Sequence, residues 1–186
     1  DSLDKILSEH CSQECLNEYD SNFKHDENLL SLLSSNGYLG LGLNEKYGGS
    51  GEDLYDLGIL FERLGYHAAP LSLSGCLVDV AQTIQKFSNQ ESCNKILTSI
   101  IAGEIYTSAI LEPSNQDPEN PETIAKIEDD QLIITGTKYL SEITSMAKSI
   151  LISASSNKGV LLILVDTDQV KLTELSSTAN SPLFKV

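Results

Sequence analysis

The stretch Asn36-Gly37-Tyr38-Leu39-Gly40-Leu41-Gly42-Leu43-Asn44-Glu45-Lys46-Tyr47-Gly48-Gly49-Ser50-Gly51 decides how the rest of the chain is read. Asn36-Gly37 is a helix stop, because glycine takes the left-handed closing conformation without a Cβ penalty. A short apolar segment follows, and Gly48-Gly49-Ser50-Gly51 then turns the chain. That cluster invites comparison with a phosphate-cradling loop. A Walker loop ends in Gly-Lys-Ser/Thr and a dinucleotide loop needs a strand before it, and neither condition is met. The stretch is a turn between helices, and its flanks agree. Upstream, Asp26 is placed to cap a helix carrying Leu29, Leu30, Leu32 and Leu33. Downstream, Asp53 begins a helix with Leu54, Leu57, Leu60, Phe61 and Leu64 on its buried side, ending at Gly65.

Further outward the same periodicity predicts three more helices. Leu3, Ile6 and Leu7 mark a rather polar first helix running to Tyr19. After a break at Pro70, Leu77, Val80, Ala81, Ile84 and Phe87 mark a fourth. Beyond Ser88-Asn89, a fifth buries Ile96, Leu97, Ile100 and Ile101 and stops at Gly103. Near residue 104 the pattern changes to alternation and short β-branched blocks. Strands are expected at about 105–111, 122–128, 131–136, 148–155, 159–166, 170–175 and 182–186, with turns at Asp129-Asp130 and Asn157-Lys158-Gly159. Pro113, Pro118 and Pro121 lie in a polar loop between the first two strands. The fold class read from this is α+β. An all-helical domain at 1–104 precedes a small antiparallel β-barrel or sandwich domain at 105–186. The ending Leu183-Phe184-Lys185-Val186 reads as a strand, so the chain is expected to be a fragment or to lack a further domain.

Charge narrows the function classes. The formal net charge is −15, and Arg63 is the only arginine. Such a surface repels phosphate backbones and offers no guanidinium forks, which argues against nucleic-acid binding. A polyanionic ligand such as a coenzyme A ester needs local compensation, which Lys126, Lys138, Lys148 and Lys158 could supply. The longest apolar run, Gly159 to Val165, has the length of a strand, so no membrane span is expected. The amino terminus is acidic and polar, unlike a signal peptide, and the cytosol is the expected compartment. Cys11 and Cys15 are one helical turn apart, near His10 and His25, and do not have zinc-knuckle spacing. Cys11, Cys15, Cys76 and Cys93 are expected to be reduced thiols, and no metal site is assigned. With only His10, His25 and His67, all in the helical half, histidine acid–base chemistry has little to draw on.

Four motifs, in order and at matching spacing, resemble the acyl-CoA dehydrogenase family. The first runs from Gly37-x-x-Gly40 through Glu45-x-Tyr47-Gly48-Gly49-x-Gly51 to Glu62-Arg63-Leu64-Gly65, with Asn44 at the place of the usual proline. The second is Ala102-Gly103-Glu104, which resembles the close of that family's helical domain. Ser108-Ala109-Ile110-Leu111-Glu112-Pro113 is similar to its first β-domain strand, and Ile134-Thr135-Gly136-Thr137-Lys138 to a hairpin strand. The resemblance covers about residues 26 to 186. It implies homotetramers or related oligomers that use FAD to remove two hydrogens from an acyl-CoA thioester.

Carried over residue by residue, the resemblance places flavin contacts at Ser108, Ile110, Leu111, Gln116, Asp117, Leu140 and Glu142. Leu111 stands where the family has a threonine that contacts flavin. Ser114-Asn115-Gln116-Asp117 stands for a Gly-x-Gly-Ser loop, so Asp117 puts a charge in place of a serine. Leu140-Ser141-Glu142 stands for Trp-Ile-Thr, losing an aromatic face and a small hydroxyl. Leu111 and Leu140 are read as plain core, Lys138 as a solvated strand residue, and Glu112 as a fold-supporting residue. No catalytic residue is assigned, because the family's base sits in a carboxyl-terminal helical bundle. Two arrangements follow from the resemblance. One is an acyl-CoA dehydrogenase-like flavoprotein, binding acyl-CoA as a homo-oligomer. The other is a non-catalytic, FAD-poor structural subunit paired with a paralogous acyl-CoA dehydrogenase chain. A stand-alone interaction domain is a third, weaker reading.

Overall fold

The computed structural model describes residues 2–22, 26–51, 53–129, 131–142, 145–177 and 182–186. His25 and Asp130, which entered the metal and turn readings, lie outside the described residues. The chain divides into two compact units, Asp1–Glu104 and Ile105–Val186.

The first unit is helical: α1 (Ser2–His10), α2 (Gln13–Asn22), α3 (Glu27–Ser35), α4 (Leu54–Tyr66), α5 (Ala81–Phe87) and α6 (Gln90–Ile101). The single first helix expected to reach Tyr19 is two. The hydroxyl of Ser12 accepts from the backbone N–H of Cys15 at 3.3 Å, the capping geometry that starts a new helix. A π-helical turn, Gly75–Val80, leads into α5. The expected caps form: Asp26 accepts from the N–H groups of Asn28 and Leu29, and Asp53 from that of Tyr55. Leu7, Leu29, Leu33, Leu60, Leu97 and Ile100 are fully enclosed. Each such side chain contributes about 1.5–3 kcal/mol through removal from water.

The glycine-rich connection packs as a tied loop. Gly48 has φ +89° and Gly51 has φ +114°, conformations that L side chains rarely adopt. Gly49 is required for a different reason, since a Cβ there would lie 2.1 Å from the Leu43 carbonyl oxygen. Side chains from α5 hold the loop. Gln85 accepts from the Asn44 N–H at 2.8 Å, and Gln82 donates to the Gly42 carbonyl at 3.1 Å.

The second unit holds β1 (Tyr106–Ala109), β2 (Ile124–Glu128), β3 (Gln131–Thr135), β4 (Ser141–Glu142), β5 (Ser149–Ser156), β6 (Gly159–Asp166), β7 (Thr173–Leu175) and β8 (Leu183–Lys185). One sheet has the order β1-β5-β2-β3 with β6 on β5, and a smaller one has the order β4-β8-β7. The mixed helical-and-sheet class is as expected, but the strands are not all antiparallel. β1 runs parallel to β5 from Tyr106↔Ser149 to Ala109↔Ile152, and β2 meets β5 in parallel at Ile124↔Ser155. The physical reason is connectivity. The excursion of residues 110–148 carries the chain back to its starting end before β5 begins, as a parallel pair requires. No closed barrel forms among the described residues, which make two sheets. β1 is shorter than expected. The strand expected at 170–175 is β7 and begins only at Thr173, because Thr167–Gln169 forms a 3-10 turn, and β4 was not anticipated. The hairpin through Asn157-Lys158 forms as read, with Ser156 opposite Gly159. Ile150 and Ile152 of β5 pack with Ala109, Ile134, Ile163 and Val165 to make the core of this unit.

Among the described residues, no helix is long and apolar enough to cross a membrane.

Candidate functional site

Glu112 and Glu122 lie ten positions apart, and three of the intervening residues, Pro113, Pro118 and Pro121, are proline. A segment so constituted cannot join a ladder and must be held by side chains instead. Glu112 does the holding. Its Oε2 accepts from the Glu122 N–H at 2.6 Å, and its Oε1 from the Thr123 N–H at 2.8 Å and the Thr123 hydroxyl at 2.6 Å. The carboxylate therefore clasps the far end of the loop that its own residue begins.

Lys138 completes the clasp. Its ammonium donates to Glu112 Oε1 at 2.8 Å, to the Ser153 hydroxyl on β5 at 3.1 Å and to the Ile110 carbonyl at 3.3 Å. An ammonium has three donors, and all three are engaged. Lys138 is 2% exposed and Glu112 5%, so the pair is buried, which corrects the reading of Lys138 as a solvated strand residue. The reason is that Gly136 lets the chain pass against β2. A Cβ at Gly136 would stand 2.3 Å from the Thr123 hydroxyl oxygen, so only glycine allows the approach that buries Lys138 nearby. Burial pushes the Glu112 carboxyl up. The Lys138 ammonium, the Thr123 hydroxyl and the backbone N–H groups of Glu122 and Thr123 outweigh it and hold the pKa at about 2.

The clasp is joined to the positions singled out for flavin contact. The Tyr139 N–H donates to the Leu111 carbonyl at 2.8 Å, which makes Leu111 and Leu140 neighbours. The Ser141 hydroxyl donates to the Ser108 carbonyl at 2.8 Å, and the Thr107 hydroxyl to the Glu142 carbonyl at 2.7 Å, so β4 lies along β1. Ser108, Ile110, Leu111, Leu140 and Glu142 are thus gathered in one region, while Gln116 and Asp117 stand exposed on the loop. Leu111 and Leu140 are 41% and 45% exposed, which corrects their reading as core. β1 has already ended at Ala109, and Leu140 turns outward on a left-handed backbone, φ +58°. A leucine pays about 1 kcal/mol or more for that conformation.

Part of the loop is held by its own polar groups. Asn115 accepts from the Asp117 N–H at 2.9 Å, and Asp117 from the Glu119 N–H at 3.0 Å and the Asn120 side-chain amide at 2.8 Å. Asn120 and Glu119 together hold the Asp117 carboxyl below the usual range, so it stays ionised. The residues that sequence reasoning missed are Thr123 and Ser153, which complete the clasp from distant strands; no spacing pattern links either to Glu112.

A flavin dinucleotide asks for donors to a diphosphate and for a polar or aromatic edge against its ring. Leu111 and Leu140 offer neither donor nor aromatic face, and the loop presents Asp117 and Glu119 as exposed carboxylates. The residues present do not fit the group. On the clasp's own flank, a cleft of about 530 Å³ lined by Thr123, Gly136 and Lys138 opens over Ile134, Ile150 and Ile152, and its lining also holds Lys171 and Lys185 but no Asp or Glu. Among the described residues, no cluster of His, Cys, Asp and Glu could hold a metal ion.

Residues 1–104 match the family described as "Acyl-CoA dehydrogenase, N-terminal domain". Among solved structures, the chain is similar to a variant of the Tcur3481-Tcur3483 steroid ACAD, with 28% identity and a TM-score of 0.90 over 98% of this chain and 51% of that one. The ChsE4-ChsE5 complex from Mycobacterium tuberculosis shares the fold, with 22% identity and a TM-score of 0.89 over 98% of this chain and 50% of that one. So does a glutaryl-CoA dehydrogenase from Mycobacterium smegmatis in complex with FADH2, with 19% identity and a TM-score of 0.81 over 99% and 50%. The chain spans about half the length of each of these relatives. A comparison with curated proteins finds no match.

Proposed function

The chain belongs to the acyl-CoA dehydrogenase family, and on that premise we propose that it serves as one subunit of an assembly that dehydrogenates an acyl-CoA thioester between Cα and Cβ. FAD is the hydride acceptor of that assembly, the thioester carries a fatty or steroid acyl group, and the cytosol is the compartment. The observation that carries this reading is the agreement of both units with a steroid ACAD, a TM-score of 0.90 over 98% of the chain at 28% identity. The names of that structure and of the ChsE4-ChsE5 complex each join two proteins, which supports a paralogous chain as partner over a second copy of this one.

The geometry supports a structural part for this chain in the proposed assembly. The Glu112–Lys138 clasp fixes the Leu111–Leu140 surface. The test is to co-express the protein with each paralogous acyl-CoA dehydrogenase chain of the same genome and to purify what associates with it. Reduction of a dye acceptor is then followed on fatty acyl-CoA and steroid acyl-CoA thioesters. Thioester-dependent dye reduction that requires both chains is expected. A stable, flavin-loaded assembly that reduces no dye with any such thioester would overturn the reading.

A further inference from the structure

We infer, resting on the assembly reading above, that the surface formed by Leu111, Leu140 and the loop 113–122 excludes FAD, so that the flavin of the assembly is held by the paralogous chain. The argument is one of donors and charge. A diphosphate is bound by N–H groups and cations that have capacity to spare. Along this loop Pro113, Pro118 and Pro121 have no N–H to give. The N–H groups of Asp117, Glu119, Glu122 and Thr123 are spent on Asn115, Asp117 and Glu112. The N–H of Glu112 goes to the Asn115 carbonyl, and that of Asn120 to the Asp117 carbonyl. Ser114 gives its hydroxyl to the Glu122 carboxylate at 2.9 Å, and Asn115 its side-chain amide to the Asn120 carbonyl at 2.6 Å.

The nearest ammonium, Lys138, is closed off in the same way, by Ile110, Glu112 and Ser153. What the loop turns to solvent is the charge of Asp117 and Glu119, and a dianionic diphosphate brought there meets like charge. The N–H groups of Ser114, Asn115 and Gln116 have no acceptor among the described residues, so the exclusion rests on the carboxylates of Asp117 and Glu119 beside them, while the buried Glu112 carboxylate fixes both ends of the loop. The ring face fares no better, since two exposed leucines offer contact area without a hydrogen bond to fix the orientation of a flavin.

The experiment begins with the complete protein purified with its associated chain. Flavin is measured from the visible spectrum and assigned to one chain or the other by native mass spectrometry. Flavin on the paralogous chain and none on this one is the expected result. Flavin bound to this chain overturns the inference while leaving the dehydrogenation reading intact. The converse outcome, flavin on the partner with no thioester turnover, sinks the dehydrogenation reading and leaves this one standing. A second arm reverses the exclusion with Leu111→Thr, Asp117→Ser, Leu140→Trp and Glu142→Thr together, titrated with FAD and followed by quenching of flavin fluorescence. Affinity should rise by roughly tenfold or more, the scale of one charge-assisted hydrogen bond. A variant that melts cooperatively and binds FAD no better than the natural chain would show that these residues do not exclude it.

Discussion

Lys138 shows how little a single residue's type reveals about its energetics. In the sequence it is one lysine among several in a β-rich half; in the fold it is enclosed, with its whole donor capacity used. Lys138→Met leaves the Glu112 carboxylate buried without its cation, and we expect a loss of about 3–5 kcal/mol in urea unfolding. Replacing both partners, Glu112→Leu with Lys138→Met, should recover most of that loss, because no orphan charge remains. Equal losses in the single and double variants would show that the pair is not coupled. The pair also fixes a pH dependence. The folded pKa of Glu112, about 2, lies below the ordinary 4.5, so its stabilisation is complete above pH 4.5 and drains away as pH falls toward 2. Glu112→Gln should therefore flatten the stability profile between those limits and leave its slope at neutral pH unchanged, as thermal melts across an acid pH series would record.

At the scale of elements, the glycine-rich connection between α3 and α4 matters most. It was legible as a turn because Asn36-Gly37 and Gly48-Gly49-Ser50-Gly51 bracket an apolar segment. The two outer glycines of the cluster serve by conformation. The inner one serves by proximity, which no sequence pattern distinguishes. Gly49→Ala would drive a Cβ into the Leu43 backbone and separate the loop from α5, whose Gln82 and Gln85 hold it. We expect that variant to lose more than about 3 kcal/mol, whereas Gly58→Ala in α4, where the Cβ meets nothing, should gain up to about 1 kcal/mol from helix propensity. Differential scanning calorimetry of the two variants decides it, and a tolerant Gly49→Ala would mean the close approach is not required.

For the whole molecule the governing quantity is charge. A net charge of −15 on 186 residues places the chain far from neutrality, with only 12 basic residues against 27 acids. Self-repulsion of that kind destabilises the compact state and is relieved by screening. The melting temperature should rise by a few degrees between low and moderate sodium chloride, since about 1 kcal/mol shifts a melt by a few degrees at this size. A melting temperature that stays flat or falls over that range would show that local pairs such as Glu112–Lys138 outweigh the general repulsion. In the proposed assembly, a less acidic paralogous chain would offset the field that a dinucleotide or an acyl-CoA meets.

The sequence by itself determined the helical first half, the strands of the second and the α+β class, since those follow from periodicity and from residues with restricted backbones. It also determined the family resemblance, since motif order and spacing are one-dimensional properties. It could not determine that Ser12 splits the first helix, that β1 and β5 run parallel, or that Leu111 and Leu140 face outward while Lys138 goes in. Each of those depends on which distant segment comes to lie alongside, and Glu112, Thr123, Lys138 and Ser153 become one network only when strands far apart in sequence close over a ten-residue loop. Burial and the pairing of Glu112 with Lys138 are properties of that closure, and a one-dimensional pattern does not carry them.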